Sequence, residues 1–304
     1  MDERAALALV GAELDAAGDD CAVLDGTVVS TDMLHETTDF PAGTTRYTAG
    51  WRAVGASLSD VAAMGASATA AVAVYAAPTF EGAELRDFLR GAREVCETVG
   101  GEYVGGDLDG HDEFTVATTA LGATEDPVLR SGAEPGDALC VTGTLGRSAA
   151  ALRLFGTDDE RANDLFRFEP RVRAGVALAP HATAMLDSSD GLARSLHQLA
   201  EASGCGFAVE GDRVPVADAV EETADGADDA REMALHFGED FELVFATPDP
   251  EAAAGASPTP VTRVGAVTES GVRLDGDPLP DRGYTHCSSV RTGPGRNTAR
   301  RGRR

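Results

Sequence analysis

Several aspartates in this chain lie where an apolar strand is expected to end or where a glycine turn begins. Such positions hold side chains rigidly at the edge of a fold, where a cleft can form. Carboxylate and hydroxyl oxygens are hard ligands, so a cluster without His or Cys selects Mg²⁺, Ca²⁺ or Mn²⁺ rather than zinc. Aspartates and hydroxyl residues in these contexts are Asp19, Asp20, Ser30, Thr31, Asp32, Asp107, Asp187 and Asp190, and Asp60 lies within a predicted helix, flanked by apolar residues.

These carboxylates can share one cleft only if cations lie between them. Two like charges 4 Å apart repel by about 4 kcal/mol at an effective dielectric constant of ~20. Carboxylate-bound Mg²⁺ characteristically also binds phosphates, so the pattern predicts a polyphosphate site bridged by metal ions. The segment from Asp107 to Glu113 looks like an EF-hand loop, but its glycine is misplaced and no Glu stands at the twelfth position.

The charge balance excludes several other functions. The 304 residues carry 51 Asp and Glu against 25 basic residues, a net charge of −26, which disfavours nucleic acid and anionic membranes as partners. Every basic residue is Arg. A chain without Lys has no Walker-A lysine, no protein-kinase strand lysine and no Schiff-base nucleophile. The acidity itself is best explained by adaptation to high salt, which screens the self-repulsion.

Cysteine usage and the N-terminus indicate a cytoplasmic protein. The cysteines Cys21, Cys96, Cys140, Cys205 and Cys287 are scattered, without metal-site spacing or the pattern of a disulfide framework. The first residues lack the basic region of a signal peptide. The uncharged stretch 61–80 is poor in Leu, Ile and Phe and reads as a helix end followed by a strand, so we expect no membrane span.

Hydrophobic periodicity predicts an α+β fold in two domains. A helix is expected over 45–66, with Trp51, Val54, Leu58 and Val61 on one buried stripe. The polar segment 130–137 is the best linker, giving domains at 1–135 and 136–290 and a disordered Arg-rich tail at 291–304. Other helices are predicted at 3–16, 83–99, 147–155, up to about 178 and at 191–203, and strands at 21–31, 69–77, 102–106, 113–123, 138–142, 183–187, 206–210, 241–246 and 261–267. The turn Gly143–Gly146 is a possible phosphate turn, although a plain strand-to-helix connection is favoured.

Taken in order, the carboxylate contexts resemble one family, thiamine-monophosphate kinase, in the superfamily of aminoimidazole ribonucleotide synthetase. The helix motif Ser-Asp-x-Ala-Ala-Met-Gly-Ala and the strand motif Gly-Glu-Asp-aromatic-Glu-Leu favour the kinase over its superfamily relatives. The matching segments are 18–24, 30–34, 58–66, 105–107, 130–133, 141–146, 187–192 and 238–243.

The resemblance implies transfer of a phosphoryl group from ATP to thiamine monophosphate. It also implies a homodimer in which N-terminal sheets join into a barrel, with ATP and metal bound by the N-terminal domain and an α/β sandwich as the C-terminal domain. By this resemblance, the residues that would hold several Mg²⁺ ions are Asp20, Ser30, Thr31, Asp32, Asp60, Asp107, Asp187 and Asp190. Gly106, Asp107, Arg130 and Ser189 would contact ATP, and Asp39 and Glu239 would contact the substrate.

This reaction suits the residues. A phosphate monoester with a second pKa near ~6 is already anionic at neutral pH and needs no general base, so no catalytic side chain is assigned. Arg130 is a bidentate donor for phosphate, and Glu239 offers a negative charge to a cationic thiazolium ring, unless it only pairs with an Arg on the surface.

Three positions depart from the family pattern. Asp39 stands where many members have His, Ser57 where Asn is usual, and Phe237 where a second Gly precedes Glu239. Two alternatives stay open: another ATP-dependent synthase of the superfamily, and a non-catalytic acidic protein whose carboxylates serve only solubility in brine.

Overall fold

The computed structural model describes residues 3–14 and 16–283, which confirm the α+β class. The helices are α1 (Glu3–Glu13), α2 (Glu36–Asp39), α3 (Arg46–Ala63), α4 (Gly82–Val99), α5 (Arg147–Leu154), α6 (Asp159–Phe166), α7 (Val172–Leu178), α8 (Leu192–Ser203), α9 (Asp218–Thr223), α10 (Ala227–His236) and α11 (Pro250–Ala256). The strands are β1 (Ala22–Leu24), β2 (Thr27–His35), β3 (Ser67–Ala77), β4 (Glu102–Gly110), β5 (Thr115–Ala123), β6 (Ala138–Thr142), β7 (Ala184–Asp187), β8 (Gly206–Val209), β9 (Leu243–Thr247), β10 (Val261–Thr268), β11 (Gly271–Leu274) and β12 (Asp277–Pro278).

The first sheet has five strands in the order β1-β2-β5-β3-β4. Only the β3–β4 pair runs parallel. Helix α3 packs against β2, β3 and β5, and α4 packs against α3, so one face of the sheet is covered. Because side chains alternate along a strand, Ser30 and Asp32 of β2 lie towards α3, whereas Thr31 and Met33 lie on the opposite face.

The single strand predicted at 21–31 is wrong, because this segment is a hairpin. Strands β1 and β2 pair antiparallel, with Leu24 opposite Thr27. Asp25 and Gly26 form the turn with φ angles of 48° and 79°. Asp-Gly favours a two-residue turn with positive φ at both positions, which suits the twist of the flanking strands.

The predicted long helix forms α3, and its stripe is buried as expected. Val54, Leu58 and Val61 have no exposed surface, and Trp51 is partly buried. The N-terminus of α3 is capped by Thr45, whose side-chain oxygen accepts a hydrogen bond from the backbone N–H of Thr48.

The second sheet has seven strands in the order β12-β11-β8-β10-β6-β9-β7 and encloses a second apolar core with α8 and α10. Helix α3 of the first sheet also contacts α7 and β7, so it links the two layers. The first sheet ends at Ala123 and the second begins at Ala138. The domain boundary near residue 135 stays a prediction.

Two further parts of the predicted secondary structure need correction. The helical stretch before Leu178 is two helices, since α6 ends at Phe166 and α7 begins at Val172, with Pro170 between them. Proline disfavours the helical conformation of the residue before it. Helices α9 and α10 and strand β11 were not predicted, because their sequences are short or lack a clear apolar period.

In the part of the chain that the structure describes, no helix is long and apolar enough to cross a bilayer. Cys21, Cys96, Cys140 and Cys205 are free thiols. Cys287 and the predicted tail at 291–304 lie outside the described residues.

Helices α3 and α4 approach closely at two glycines. A Cβ on Gly50 would lie 2.2 Å from the carbonyl oxygen of Phe88, and one on Gly91 would lie 2.0 Å from that of Tyr47.

We expect Gly50→Ala to lower the free energy of unfolding by about 1–3 kcal/mol, because the added methyl group forces the helices apart. Denaturant unfolding measures the change. The control Gly255→Ala in α11, where a Cβ meets no atom within 4 Å, should leave stability unchanged or slightly higher. Equal losses in both variants would contradict this packing argument.

Candidate functional site

Three of the predicted metal ligands meet in one place. Asp20 precedes β1, Asp60 lies in the last turn of α3, and Asp187 is the last residue of β7. Each contributes a carboxylate oxygen, and these oxygens lie within 4.8 Å of one another. The side chains of Asp20 and Asp187 are enclosed by protein. We call these three residues the acidic cluster.

Hydroxyl groups orient two carboxylates of the acidic cluster. Ser30 Oγ donates a hydrogen bond to Asp60, and Ser59 Oγ donates one of 2.6 Å to Asp187 Oδ2. Each hydroxyl group holds one carboxylate oxygen but carries no positive charge. It therefore restricts the rotation of the carboxylate without neutralising its negative charge.

Asp32 lies beside the acidic cluster. It shares the inner face of β2 with Ser30, and its Oδ2 accepts a 2.6 Å hydrogen bond from Ser57 Oγ. Ser57 also lies 2.7 Å from Thr118 Oγ1, so the serine at this departure from the family pattern joins α3 to β2 and β5. The charge of Asp32 helps to raise the pKa of Asp60, as expected for a close neighbour.

Burial and mutual repulsion make this site costly to ionise. Burial first, and then the charges of Asp32, Asp187 and Asp20, raise the pKa of Asp60 well above its usual range. Burial, followed by the charge of Asp20, raises the pKa of Asp187 to about 8. A divalent cation would remove both penalties.

Arg130 supplies the positive charge beside the acidic cluster. Its Nη2 and Nε donate to the two carboxylate oxygens of Asp20 at 2.7 and 3.1 Å. Its backbone N–H donates to Asp19 Oδ2 at 3.1 Å. Burial disfavours the charged guanidinium, but the attraction of Asp20 outweighs it and raises the pKa of Arg130. Arg130 thus holds a candidate metal ligand, and its contact with ATP stays a prediction.

The donor set fits Mg²⁺. The cluster consists of carboxylate oxygens, with two serine hydroxyls bonded to them and no His or Cys in the group. Such hard donors select Mg²⁺, Ca²⁺ or Mn²⁺. The residues that would hold the ion are Asp20, Asp60 and Asp187, with Asp32 and Ser30 adjacent.

Three predicted site residues are not brought to the cluster within one chain. Thr31 lies on the opposite face of β2 and donates a 2.8 Å hydrogen bond to the carbonyl of Thr118. Gly106 and Asp107 lie on β4, the edge strand of the sheet. Gly106 packs so closely that a Cβ would lie 1.7 Å from the carbonyl oxygen of Ala73. Metal and ATP contacts by these three residues stay predictions.

Backbone hydrogen bonds join the segment around Glu239 to the turn that follows Asp187. The N–H of Glu239 donates to Ser189 O at 2.6 Å, and the N–H of Ser188 donates to Glu242 O at 2.8 Å. Gly191 and Gly238 also pack against each other's backbone, since a Cβ on Gly191 would lie 3.2 Å from the backbone N of Gly238. The segment around Glu239 is therefore joined directly to Ser188 and Ser189, which follow Asp187 of the acidic cluster in the chain.

Glu239 forms an ion pair with Arg52 of α3, which is 2% exposed. Glu239 itself keeps 25% of its side chain exposed. Asp39 accepts hydrogen bonds from His35 N at 2.7 Å and Thr38 Oγ1 at 2.8 Å, and its charge also acts on Arg52. The charges of both predicted substrate contacts therefore act on one buried arginine, and Glu239 contacts it directly.

Comparison with known proteins places this chain in a family. The models of AIR synthase related protein, N-terminal and C-terminal domains, match residues 18–124 and 134–276. A thiamine-monophosphate kinase of Halobacterium salinarum is 64% identical over 292 residues, which cover 94% of this chain and all of that protein. The chain belongs to the thiamine-monophosphate kinase family.

Solved structures of this family share the fold. AaThiL complexed with AMPPCP and TMP matches with a TM-score of 0.85 at 27% identity, covering 94% of this chain and 97% of that chain. Thiamine-monophosphate kinase from Stenotrophomonas maltophilia K279a matches with a TM-score of 0.77 at 31% identity, covering 90% and 96%. These matches confirm the two-domain type of fold that the sequence resemblance implied.

The sequence did not predict which groups two residues of the strand motif at 238–243 would contact. Asp240 accepts hydrogen bonds from the N–H groups of Gly146 and Ser148, at 2.5 and 2.9 Å, so it occupies the N-terminus of α5. Burial raises its pKa to about 7. The turn before α5 is thus a strand-to-helix connection filled by a side chain, as the favoured interpretation predicted.

Glu242 and Arg171 form a second buried ion pair, with N–O distances of 2.7 and 2.5 Å. Arg171 and Glu242 are remote from each other in the sequence. The only sequence signal for this ion pair is the unusual density of charged residues beside an apolar strand. Ser59 was readable from its place next to Asp60, since both belong to the Leu-Ser-Asp motif.

The raised pKa values predict a pH-dependent response to Mg²⁺. Without metal, folded Asp187 keeps its proton up to about pH 8, whereas an unfolded aspartate loses it near pH ~4. The metal-free fold therefore loses stability as the pH rises, and between pH 6 and 8 most other carboxylates no longer titrate. We expect calorimetry in EDTA and constant KCl to give a lower Tm at pH 8 than at pH 6. Mg²⁺ should raise the Tm more at pH 8.

Two variants test the origin of this response. Asp187→Asn should lose most of the Mg²⁺ shift, because a ligand is gone, and part of the pH dependence, because Asp60, whose pKa is also raised, still titrates. Asp212→Asn, at an exposed site in the 3₁₀ turn Gly211–Arg213, should keep both. An unchanged Mg²⁺ shift in Asp187→Asn would rule out the acidic cluster as the metal site.

Proposed function

We propose that this chain transfers the γ-phosphoryl group of ATP directly to the phosphate of thiamine monophosphate, in line and with Mg²⁺, giving thiamine diphosphate and ADP. The observation that carries the proposal is the acidic cluster, joined by backbone hydrogen bonds to the Glu239 segment. It is supported by membership of the family and by the AMPPCP and TMP bound in a related structure.

The chain's own residues have to position two anions rather than move a proton. The accepting phosphate monoester is ionised near neutral pH, so no general base is required. Bound Mg²⁺ supplies charge neutralisation and stabilises the transferring phosphoryl group. Asp20, Asp32, Asp60 and Asp187 are the proposed ligands, together with Ser30, Thr31, Asp107 and Asp190. Orientation of these oxygens by Ser59 and Ser57 restricts where phosphate can bind.

ATP and thiamine monophosphate are proposed to enter from opposite sides of the Asp187 turn. Arg130, Ser189, Gly106 and Asp107 are the proposed ATP contacts. On the other side, the partly exposed Glu239 is proposed to offer negative charge to the thiazolium ring, together with Asp39, whose charge acts on the same arginine. A carboxylate in place of the family's usual His at position 39 increases that negative charge.

A homodimer is proposed on the uncovered face of the first sheet. This face and the edge strand β4 expose the apolar residues Met33, Val72, Val74, Val104 and Leu108. A monomer rarely leaves such a surface in water, and a second copy would cover it. Gly106 and Asp107 lie on the same edge strand and so at the proposed seam. The cytoplasmic location and adaptation to salt stay predictions.

The reaction is tested by coupled assay of ADP formation with thiamine monophosphate as the sole acceptor, at high KCl. We expect turnover that stops in excess chelator. We also expect Asp60→Asn to lower kcat by at least ~10²-fold, because the variant lacks one proposed ligand of the Mg²⁺ that would stabilise the transferring phosphoryl group. Asp212→Asn serves as the matched control and should keep its activity.

Two results would contradict the proposal. Nucleotide binding that is equally tight in excess EDTA would exclude metal-bridged ATP. Turnover with an amide acceptor but none with thiamine monophosphate would favour a synthase of the same superfamily.

A further inference from the structure

Arg52 is held in one orientation by several contacts. Nη1 donates to the carbonyl of Phe166 at 2.6 Å and to Ser148 Oγ at 3.3 Å. The guanidinium carbon lies 3.6 Å from the centroid of the Phe166 ring. With 2% of its surface exposed, the group has neither water around it nor space to rotate. Its position is therefore fixed by the protein before any ligand binds.

Arg52 holds only one of the two carboxylate oxygens of Glu239, although it also donates a long hydrogen bond of 3.5 Å to the backbone carbonyl of Glu239. Its Nη2 donates to Oε2, and among the described residues Oε1 accepts no hydrogen bond. The arginine is enclosed, whereas the glutamate is one-quarter exposed. From the interior outwards, the order is therefore cation, carboxylate, solvent. A cationic ligand arriving from solvent meets the carboxylate first and is separated from the guanidinium by it.

The Glu239 segment has a strained backbone that a purely structural ion pair would not need. Glu239 and Phe241 adopt φ angles of 62° and 54°, in the left-handed region that costs a non-glycine residue ~1 kcal/mol or more. Phe241 stacks on Phe168 with ring centroids 4.1 Å apart, which helps to hold this conformation. Such strain persists where a side chain has to point in one direction.

One face of α3 orients both ends of the site. Arg52, Ala56 and Ser59 follow each other at spacings of four and three residues, so they lie on the same face. Ser59 holds Asp187, Ala56 packs with Phe168 and Phe241, and Arg52 holds Glu239. Seven residues span ~10 Å along a helix. A ligand with a cationic ring at one end and a phosphate at the other has to fit this spacing.

We infer that Arg52 is a positioning residue that aims the free oxygen of Glu239 at the cationic ring of the substrate and thereby sets selectivity for a cationic phosphate acceptor. The inference rests on the proposed function. It gives a role in substrate selection to Arg52, which is not among the proposed metal or phosphate contacts. Arg52 itself does not touch the substrate, so its effect is exerted through Glu239.

The test measures KM for thiamine monophosphate and for ATP, and kcat, in the full chain at high KCl. Arg52→Met should raise KM for thiamine monophosphate by ~10-fold or more, the weight of one charge-assisted contact, with KM for ATP within about twofold. Arg52→Lys should recover part of the loss. Glu239→Gln should match Arg52→Met, and the double variant should be no worse than Glu239→Gln alone, because both act through one carboxylate.

Arg171→Met is the matched control, since Arg171 pairs with buried Glu242 in the same strand motif. It should lower the Tm as Arg52→Met does, without raising KM for thiamine monophosphate. If Arg52→Met raises both KM values alike, if Arg171→Met reproduces its pattern, or if the double variant's losses multiply, Arg52 is only structural and the inference is overturned.

Calorimetric binding of thiamine, which lacks the phosphate, separates this inference from the proposed reaction. Wild-type chain that binds thiamine but transfers no phosphoryl group refutes the reaction alone, and weaker thiamine binding by Arg52→Met then supports the inference. Wild-type chain that neither binds thiamine nor transfers phosphate refutes both. Thiamine binding of equal strength in wild type, Arg52→Met and Glu239→Gln overturns the inference whatever the reaction proves to be.

Discussion

Repulsion between buried carboxylates is the constraint on which the rest of this structure depends. Three carboxylates lie within 4.8 Å of one another, with one guanidinium beside them. At such distances each ionised pair costs a few kcal/mol, about 4 at an effective dielectric constant of ~20. The serines that bind Asp60 and Asp187 orient the charges without cancelling them. The fold therefore carries an uncompensated negative charge that only protons or divalent cations can balance.

Helix α3 makes this arrangement possible. Its apolar stripe is buried between the first sheet, α4 and α7, which gives it a fixed position. The contact with α4 depends on glycine, because Gly50 allows the helix to meet the carbonyl oxygen of Phe88. From this support the polar positions of the helix reach both sheets, Asp32 through Ser57 and Asp187 through Ser59. Packing energy thus fixes a polar site that would not be stable alone.

The sequence predicted those parts of the site whose signal is local. Asp20 and Asp187 are recognisable from their glycine and strand-end contexts, Asp60 from its place in the Leu-Ser-Asp helix motif, and the structure brings the three together. Strand alternation alone predicts that Thr31 and Asp32 lie on opposite faces of β2, and the structure shows this. The Asp25-Gly26 turn was equally readable. By contrast, the pairs Arg52–Glu239 and Arg171–Glu242 join residues remote in the chain, and no local pattern determines which carboxylate an arginine meets.

The acidic surface and the buried arginines have different physical roles. Exposed carboxylates in water gain or lose little by pairing, so their excess is a matter of solvent and salt. Arg52, Arg130 and Arg171 instead pair with enclosed or half-enclosed carboxylates, where desolvation consumes most of the Coulombic attraction. Such pairs add little net stability over apolar side chains of the same volume. What they do supply is direction, since a planar guanidinium holds a carboxylate in one orientation. A chain in which every basic residue is Arg is therefore suited to orient carboxylates. Two of these three arginines hold residues of the proposed site.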